Sequence, residues 1–157
     1  MIDDLLKTAI AAAKTGGDRS HAAQLTIELR KLQQSDRRKA AILAATQGEP
    51  LGVELELREG LYALISQEPD DSGRARLTFF DPRGFSGHCL YSTAKKALDD
   101  AFLCGYSRQV IGVLDRLSQT ALWQRGIAFN ELCARHNRGE ITFQEFLHER
   151  DALPMAA

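Results

Sequence analysis

The chain has 157 residues, of which 44% are hydrophobic and 26% charged, as is typical of a globular protein. Its net charge of −1 gives no overall attraction to nucleic acid or to an anionic membrane. No apolar run approaches the roughly 20 residues needed to span a bilayer, and the acidic start is unlike a signal peptide. Three widely spaced cysteines fit a reducing compartment better than a disulfide framework. We therefore expect a cytoplasmic protein that forms a single domain over residues 1–157 and does not bind membranes.

Residues 1–47 are predicted to form a helical hairpin. Apolar residues between positions 2 and 13 recur with helical spacing, and Thr15–Asp18 is typical of a helix end followed by a turn. A second helix is predicted to start near Ser20. Asp36 would fall within the apolar face of this helix, so the sequence predicts a break there, with Ser35 or Asp36 capping a third helix.

On one helical wheel, most cations of the segment that follows the predicted turn share one outward sector. These cations are Arg19, Arg30, Lys31, Arg37 and Arg38. Such a face is suited to contact with phosphates or with an acidic partner protein, and the competing interpretation is an ordinary solvated helix surface. We predict that this basic sector is the partner-binding site.

Residues 52–106 predict an antiparallel β-meander of three or four strands with one helix packed across it. The predicted strands are Val53–Arg58, Leu61–Ser66, 76–80 and Phe85–Tyr91. Alternation of apolar and charged residues makes the first of them a half-exposed edge strand. Asp81–Gly84 has the composition of a tight turn, and Gly87 suggests a bulge or close packing. Ser92 or Thr93 caps a helix over Ala94–Leu103, which Gly105 ends.

Residues 107–153 are predicted to be helical. The segment 107–120 fits a helix, although Val110–Leu114 also fits a short strand. Ser118 is expected to cap a longer helix that runs through His136. The pair Thr142 and Glu145 has the spacing of a capping box, which opens a last helix over Phe143–Leu153.

These elements predict an α+β fold, with a small antiparallel sheet and a packed helix between N-terminal and C-terminal helical hairpins. Val53–Leu103 resembles the double-stranded-RNA-binding domain, in which lysines at the start of the final helix contact phosphates. Lys95 and Lys96 occupy that place here, but Asp99 and Asp100 oppose them, so the resemblance implies topology alone. The arrangement is also similar to small modules of bacterial mobile-element proteins.

The segment Ala134–Phe146 resembles an EF-hand calcium loop in its second half. Gly139 stands at the sharp turn, and Glu145 stands at the bidentate position. The earlier ligand positions hold Ala134, His136 and Arg138 instead of Asp or Asn, and an arginine there repels a divalent cation, so we predict no calcium site. The same residues resemble the Gly-x-Ile-Thr-x-x-Glu-Phe segment of short C-terminal helical modules, which implies a helix–turn–helix.

Cysteine and histidine chemistry is the remaining alternative. Cys133 and His136 have the spacing of two metal ligands on one helix, and His88, Cys89 and Cys104 are further potential donors. The sequence has no Cys-x-x-Cys pair, and isolated cysteines are usually small core residues, so we predict no zinc. A Cys89 nucleophile with His136 or His148 as its base would need neighbours in space that a sequence does not show.

The sequence therefore predicts a protein without catalytic activity or cofactor. We expect an adaptor, regulator or inhibitor that binds a protein partner through the basic sector, with self-association left open. The alternative is nucleic-acid binding through the same sector, aided by Lys95 and Lys96. An enzyme that uses Cys89 or Cys133 is the third alternative.

Overall fold

The computed structural model describes residues 2–70 and 72–154. Its helices and its single antiparallel sheet confirm the predicted α+β fold with helices at both ends. The chain divides into two compact units, Met1–Gly48 and Glu49–Ala157. Among the described residues, no helix combines the length and the apolar character that crossing a membrane requires.

The first unit is a pair of helices, α1 (Ile2–Thr15) and α2 (Arg19–Ala45). Gly17 turns the chain with a positive φ of 78°, and the Asp18 carboxylate caps α2 by accepting a hydrogen bond from the amide of His21 at 2.9 Å. The side-chain amide of Gln33 donates to the carboxylate of Asp3 at 3.1 Å. This bond joins the start of α1 to the middle of α2, so the two helices run antiparallel.

The predicted break at Asp36 is wrong, because α2 is one continuous helix and the described residues 2–48 contain no third helix. Asp36 lies nearly one turn beyond Gln33, the residue that contacts the start of α1. The side chain of Asp36 is exposed and does not occupy an apolar interface. The apolar stripe predicted from the sequence continues along α2 beyond the part of that helix that α1 reaches.

The second unit contains a five-stranded sheet rather than the three or four strands predicted. The strands are β1 (Glu54–Arg58), β2 (Leu61–Gln67), β3 (Ala75–Asp81), β4 (Gly84–Tyr91) and β5 (Arg108–Val110). Their order across the sheet is β4-β3-β2-β1-β5, with every pair antiparallel. β4 therefore forms one edge, and its residues 85–90 are all exposed.

The prediction that β1 is an edge strand is wrong, because β5 pairs with its outer side. The segment predicted as helix therefore begins with this short strand and is helical only from residue 113, and the alternative strand Val110–Leu114 overlaps β5 at Val110 alone. Gly112, with a φ of 65°, then turns the chain into α4 (Val113–Ser118). Glu54 and Glu56 of β1 are consequently buried, whereas Leu57 is exposed.

The two buried glutamates of β1 have partners brought in by β5 and α4. Glu54 accepts hydrogen bonds from the backbone amides of Val113 at 2.8 Å and Leu114 at 3.0 Å. Its carboxylate thus satisfies amides at the start of α4 that have no partner within the helix. Glu56 forms an ion pair with Arg108 of β5. The amide contacts explain how Glu54 is accommodated on a buried strand, whereas Glu56 has the charge of Arg108 beside it but no hydrogen bond to its buried Oε2 from a described residue.

The connection between β2 and β3 is organised by charged side chains. Asp70 accepts hydrogen bonds from Ser72 and Arg74, which lower the pKa of its carboxyl group to about 2. Arg76 forms two hydrogen bonds to Glu68, at 2.6 and 2.8 Å, and this contact lowers the pKa of Glu68. The loop is therefore tied together while both carboxylates are ionised.

One face of the sheet is covered by α3 (Ala94–Leu103), at the predicted position. Thr93 is the N-cap, accepting from the amide of Lys96 at 3.2 Å, and Gly105 follows the helix with a φ of 92°. The buried residues of α3 include Ala97 and Leu98, and the helix packs on β2, β3 and β4. The hydroxyl of Tyr91 donates to Asp100, and burial, followed by this contact, raises the pKa of Tyr91.

The other face is partly covered by α4 and α5 (Ala121–Asn137), with α6 (Phe143–Ala152) packed against α5. Phe80, Val113 and Trp123 form the buried cluster between this face and the helices. Thr120, not Ser118 as predicted, caps α5. Asn130 of α5 donates to the backbone oxygen of Phe85 at 3.2 Å, which fixes the helix beside the start of β4.

Candidate functional site

The five cations of the predicted basic sector all lie on α2, and all are exposed. At about 100° per residue, Arg19, Arg30 and Arg37 project within about 20° of one another around the helix axis. Successive members of this row are about 17 Å and about 10 Å apart along the axis. Lys31 and Arg38 lie about 100° further round the helix. The cations therefore form a row of three arginines with two further cations on one side of it, not a compact cluster.

None of these five side chains has an ion pair or a side-chain hydrogen bond with another residue in the described ranges. Most arginines of the second unit behave differently. Six of them form ion pairs: Arg74, Arg76, Arg108, Arg135, Arg138 and Arg150. These five cations of α2 are thus available to an external anion, whereas those arginines are engaged within the fold.

A shallow groove of about 400 Å³ lies beside the row of arginines. Lys14 of α1 and Arg19 and Arg30 of α2 border it, together with the small or apolar side chains Ala22, Ala23, Thr26 and Ile27. Ile27 is 52% exposed, although it is a large aliphatic residue. The groove therefore offers an apolar surface flanked by positive charge.

Lys14 is a member of this site that the sequence analysis did not identify. It stands in the last turn of α1, on a different helix from the other cations. The position of a lysine at the end of a helix is also favourable to the helix dipole, which gives it an ordinary structural explanation. Only the packing of the hairpin shows that Lys14 borders the same groove as Arg19.

The cysteines and histidines considered as metal ligands or catalytic groups all lie in the second unit. Cys133 and His136 lie on α5, and the ring of His136 packs against Phe143 and Phe146 at centroid distances of 6.0 and 5.4 Å. Cys89 is exposed on β4, and within the described ranges no hydrogen bond joins it to a histidine. The part of the chain that the structure describes contains no group of three or more His, Cys, Asp or Glu side chains placed to hold a metal ion.

The segment that resembles an EF-hand loop forms the turn between α5 and α6. Gly139 has a φ of 72°, as the turn requires, and Arg138 pairs with Glu131 and Glu140. Glu145 completes the capping box by accepting from the amide of Thr142 at 2.7 Å, and this bond lowers the pKa of Glu145. The carboxylate in the bidentate position is therefore engaged as a helix cap.

The lysines that match the RNA-binding resemblance, Lys95 and Lys96, are exposed in the first turn of α3. They belong to the second unit, and α2 belongs to the first. Asp100, four residues beyond Lys96, accepts the hydrogen bond from Tyr91. The two lysines thus form a smaller positive site of their own.

The geometry of the hairpin is the principal guide to function in the described part of the chain. No protein-family model matches the sequence, and neither a curated protein nor a solved structure is similar enough to count as a match. What the protein does is therefore inferred from its own cations and its own groove.

Proposed function

We propose that this protein is a non-catalytic cytoplasmic binding protein, an adaptor, regulator or inhibitor, that recognises an acidic segment of a partner protein. The contact is made by the basic sector of α2 and the adjoining groove. The observation that carries this proposal is the absence, within the described ranges, of any internal partner for Arg19, Arg30, Lys31, Arg37 and Arg38. A set of cations with no role in holding the fold is free to serve recognition.

The charged side chains of α2 are also mostly positive. Between its ends the helix carries six cations and only two carboxylates, Glu28 and Asp36. On the helical wheel, Glu28 and Asp36 lie about 100° or more from the arginine row. An acidic segment would therefore meet no nearby repulsive charge along the row, and complementary charge would speed association and fix its orientation.

The groove favours a protein segment over nucleic acid. An amphipathic acidic helix can place apolar side chains against Ile27 and its carboxylates beside Lys14, Arg19 and Arg30. A phosphate backbone would use the cations and leave the half-exposed Ile27 without an apolar contact. This combination of an apolar floor and flanking cations is what distinguishes the two kinds of partner.

Nucleic-acid binding is the second candidate, and the alignment of Arg19, Arg30 and Arg37 is the observation that favours it. Three cations in one row are suited to separate phosphates along one backbone, with Lys95 and Lys96 as a further contact. Neutralisation of three phosphates would give a slope of about −3 for the logarithm of affinity against the logarithm of salt concentration.

The two candidates are separated by a fluorescence-anisotropy titration with short single- and double-stranded DNA and RNA, at low and physiological salt. We expect flat traces if the partner is a protein. The contrary result is micromolar binding that weakens log-linearly with salt and disappears when Arg30, Lys31, Arg37 and Arg38 are changed to Glu. This result would show that the partner is nucleic acid and not a protein.

The protein partner is then tested by quantitative affinity capture with three forms of the full chain. These are the wild type, the fourfold charge reversal on α2, and a matched reversal at exposed cations of the second unit: Arg58, Lys95, Lys96 and Arg116. A partner retained by the wild type and the matched control should lose at least about tenfold in affinity for the α2 variant, as measured with the purified pair. Circular dichroism checks that α2 remains helical, and undiminished binding by a folded α2 variant would refute the site.

A further inference from the structure

A cavity of about 520 Å³ lies in the second unit, where the turn between β3 and β4 meets α5 and the end of α6. Its volume falls in the range of small-molecule sites in proteins. The cavity shares no residue with the groove on α2, so an inference about it is independent of the proposed function.

The cavity combines cationic and apolar side chains. Arg83, Arg125 and Arg150 line it, against a single carboxylate, that of Asp81. Asp81 already accepts a hydrogen bond from the backbone amide of Arg83 at 2.6 Å, within the turn. Arg150 pairs with the exposed Asp151, whereas the side chain of Arg83 has no ion pair or hydrogen bond with another described residue. The cavity thus has an excess of positive charge.

The apolar part of the cavity is formed by Phe85, Leu122, Phe129 and Leu153. Phe85, Leu122 and Phe129 are 43%, 39% and 38% exposed, an unusual degree for three large apolar side chains around one cavity. Such a surface gains free energy when an apolar body covers it.

The walls of the cavity are held together by contacts that do not involve a ligand. Asn130 binds the backbone oxygen of Phe85, and the ring of Phe85 packs edge-on against Trp123 at a centroid distance of 5.0 Å. At Gly126 the backbone of α5 touches the backbone of Arg83 so closely that a Cβ atom would overlap its carbonyl oxygen. The cavity is therefore preformed, which reduces the entropy that binding costs.

We propose that this cavity binds a small organic acid with an aromatic or aliphatic body. The carboxylate lies among the arginines, led by Arg83, and the body lies against Phe85, Leu122 and Phe129. Charge complementarity selects this class: a neutral apolar molecule would leave Arg83 without a partner, and a multiply charged polar molecule would leave the apolar wall uncovered.

The test is a titration of the ¹⁵N-labelled full chain with 4-phenylbutyrate and, separately, with 4-phenylbutan-1-ol, which has the same body without the charge. We expect saturable shifts of the amides of Gly84, Ser86, Gly126 and Asn130 with the acid, and binding of the alcohol at least about tenfold weaker. Equal affinities for the two probes, or shifts confined to other residues, would overturn the proposal.

Two variants, compared with a control variant, test where in the cavity the carboxylate of the acid binds. Arg83→Gln should weaken the acid about tenfold and leave the alcohol unchanged, whereas Arg58→Gln, at an exposed arginine outside the cavity, should change neither. Ser86→Glu places a carboxylate at an exposed position of the cavity wall and should weaken the acid still further. If Ser86→Glu fails to fold, Arg83→Gln decides: an unaltered preference for the acid in that variant contradicts the assignment.

Discussion

Replacement of Gly126 by alanine tests whether close contact between α5 and the β3–β4 turn holds the second unit together. The added Cβ would overlap the carbonyl oxygen of Arg83 and lie 2.6 Å from its carbonyl carbon, although Cβ atoms essentially never come nearer than 3.0 Å to another heavy atom. The neighbouring atoms belong to the backbone of a tight turn and cannot rotate away. The helix and the turn must therefore separate by at least about 1.5 Å before the Cβ atom clears the carbonyl oxygen.

The magnitude follows from three contributions. Overpacking of this kind costs about 1–3 kcal/mol, and loosening the adjacent hydrogen bond from Asn130 to Phe85 costs about 1 kcal/mol more. Against this, alanine is favoured over glycine inside a helix by about 1 kcal/mol. We expect Gly126→Ala to lower the free energy of unfolding by about 2 kcal/mol, which is about 1 M in the urea midpoint for a unit of this size.

The assay is equilibrium unfolding in urea, followed by the fluorescence of Trp123. This is the only tryptophan of the chain, and it is 4% exposed on the same helix. Ala128→Gly, at an exposed position of α5, measures the propensity difference alone and should cost about 1 kcal/mol. If Gly126→Ala is as stable as the wild type, the close approach is not a constraint and our account of how α5 is positioned fails.

Three further predictions concern individual contacts. Glu54→Ala removes both acceptors at the start of α4 and should cost about 2–3 kcal/mol in the same urea assay, and a loss below about 0.5 kcal/mol would contradict the capping role. The folded pKa of Asp70 is about 2, below its ordinary 3.8, so its contribution to stability is present above pH 3.8 and is lost as the pH falls towards 2. Asp70→Asn should therefore destabilise the protein at pH 5 but hardly at pH 2. An equal loss of stability at both pH values would contradict this role of Asp70. Tyr91 should remain protonated above pH 10, and Asp100→Asn should lower its pKa in an absorbance titration at 295 nm; an unchanged titration would show that Asp100 does not hold the proton.

Features whose chemistry is contained in a few adjacent residues could be predicted from the sequence. The cap at Thr93, the helix end at Gly105 and the box formed by Thr142 and Glu145 depend on side chains that bond their own backbone neighbours. The basic sector could be predicted for a related reason, since helical periodicity alone decides which side chains share a face.

Features that depend on distant parts of the chain could not be predicted. The burial of Glu54 requires the amides of Val113 and Leu114, about 60 residues further along, and β1 becomes an inner strand only because β5 pairs with it. The alternation of leucine and glutamate in β1 looks the same whether the glutamates face solvent or buried amides. For the same reason no sequence signal placed Lys14 beside the groove or gathered three arginines around a cavity.

The open edge of β4 has a consequence for the behaviour of the protein in concentrated solution. No described strand pairs with the outer side of β4, and the strand contains no proline, lysine, arginine or acidic residue to discourage another strand from joining it. The shift in register opposite Phe79 and Phe80 is the main irregularity that interrupts the edge. Crowded molecules would therefore tend to join edge to edge into aggregates, and a lysine at His88 is the smallest change expected to keep them apart.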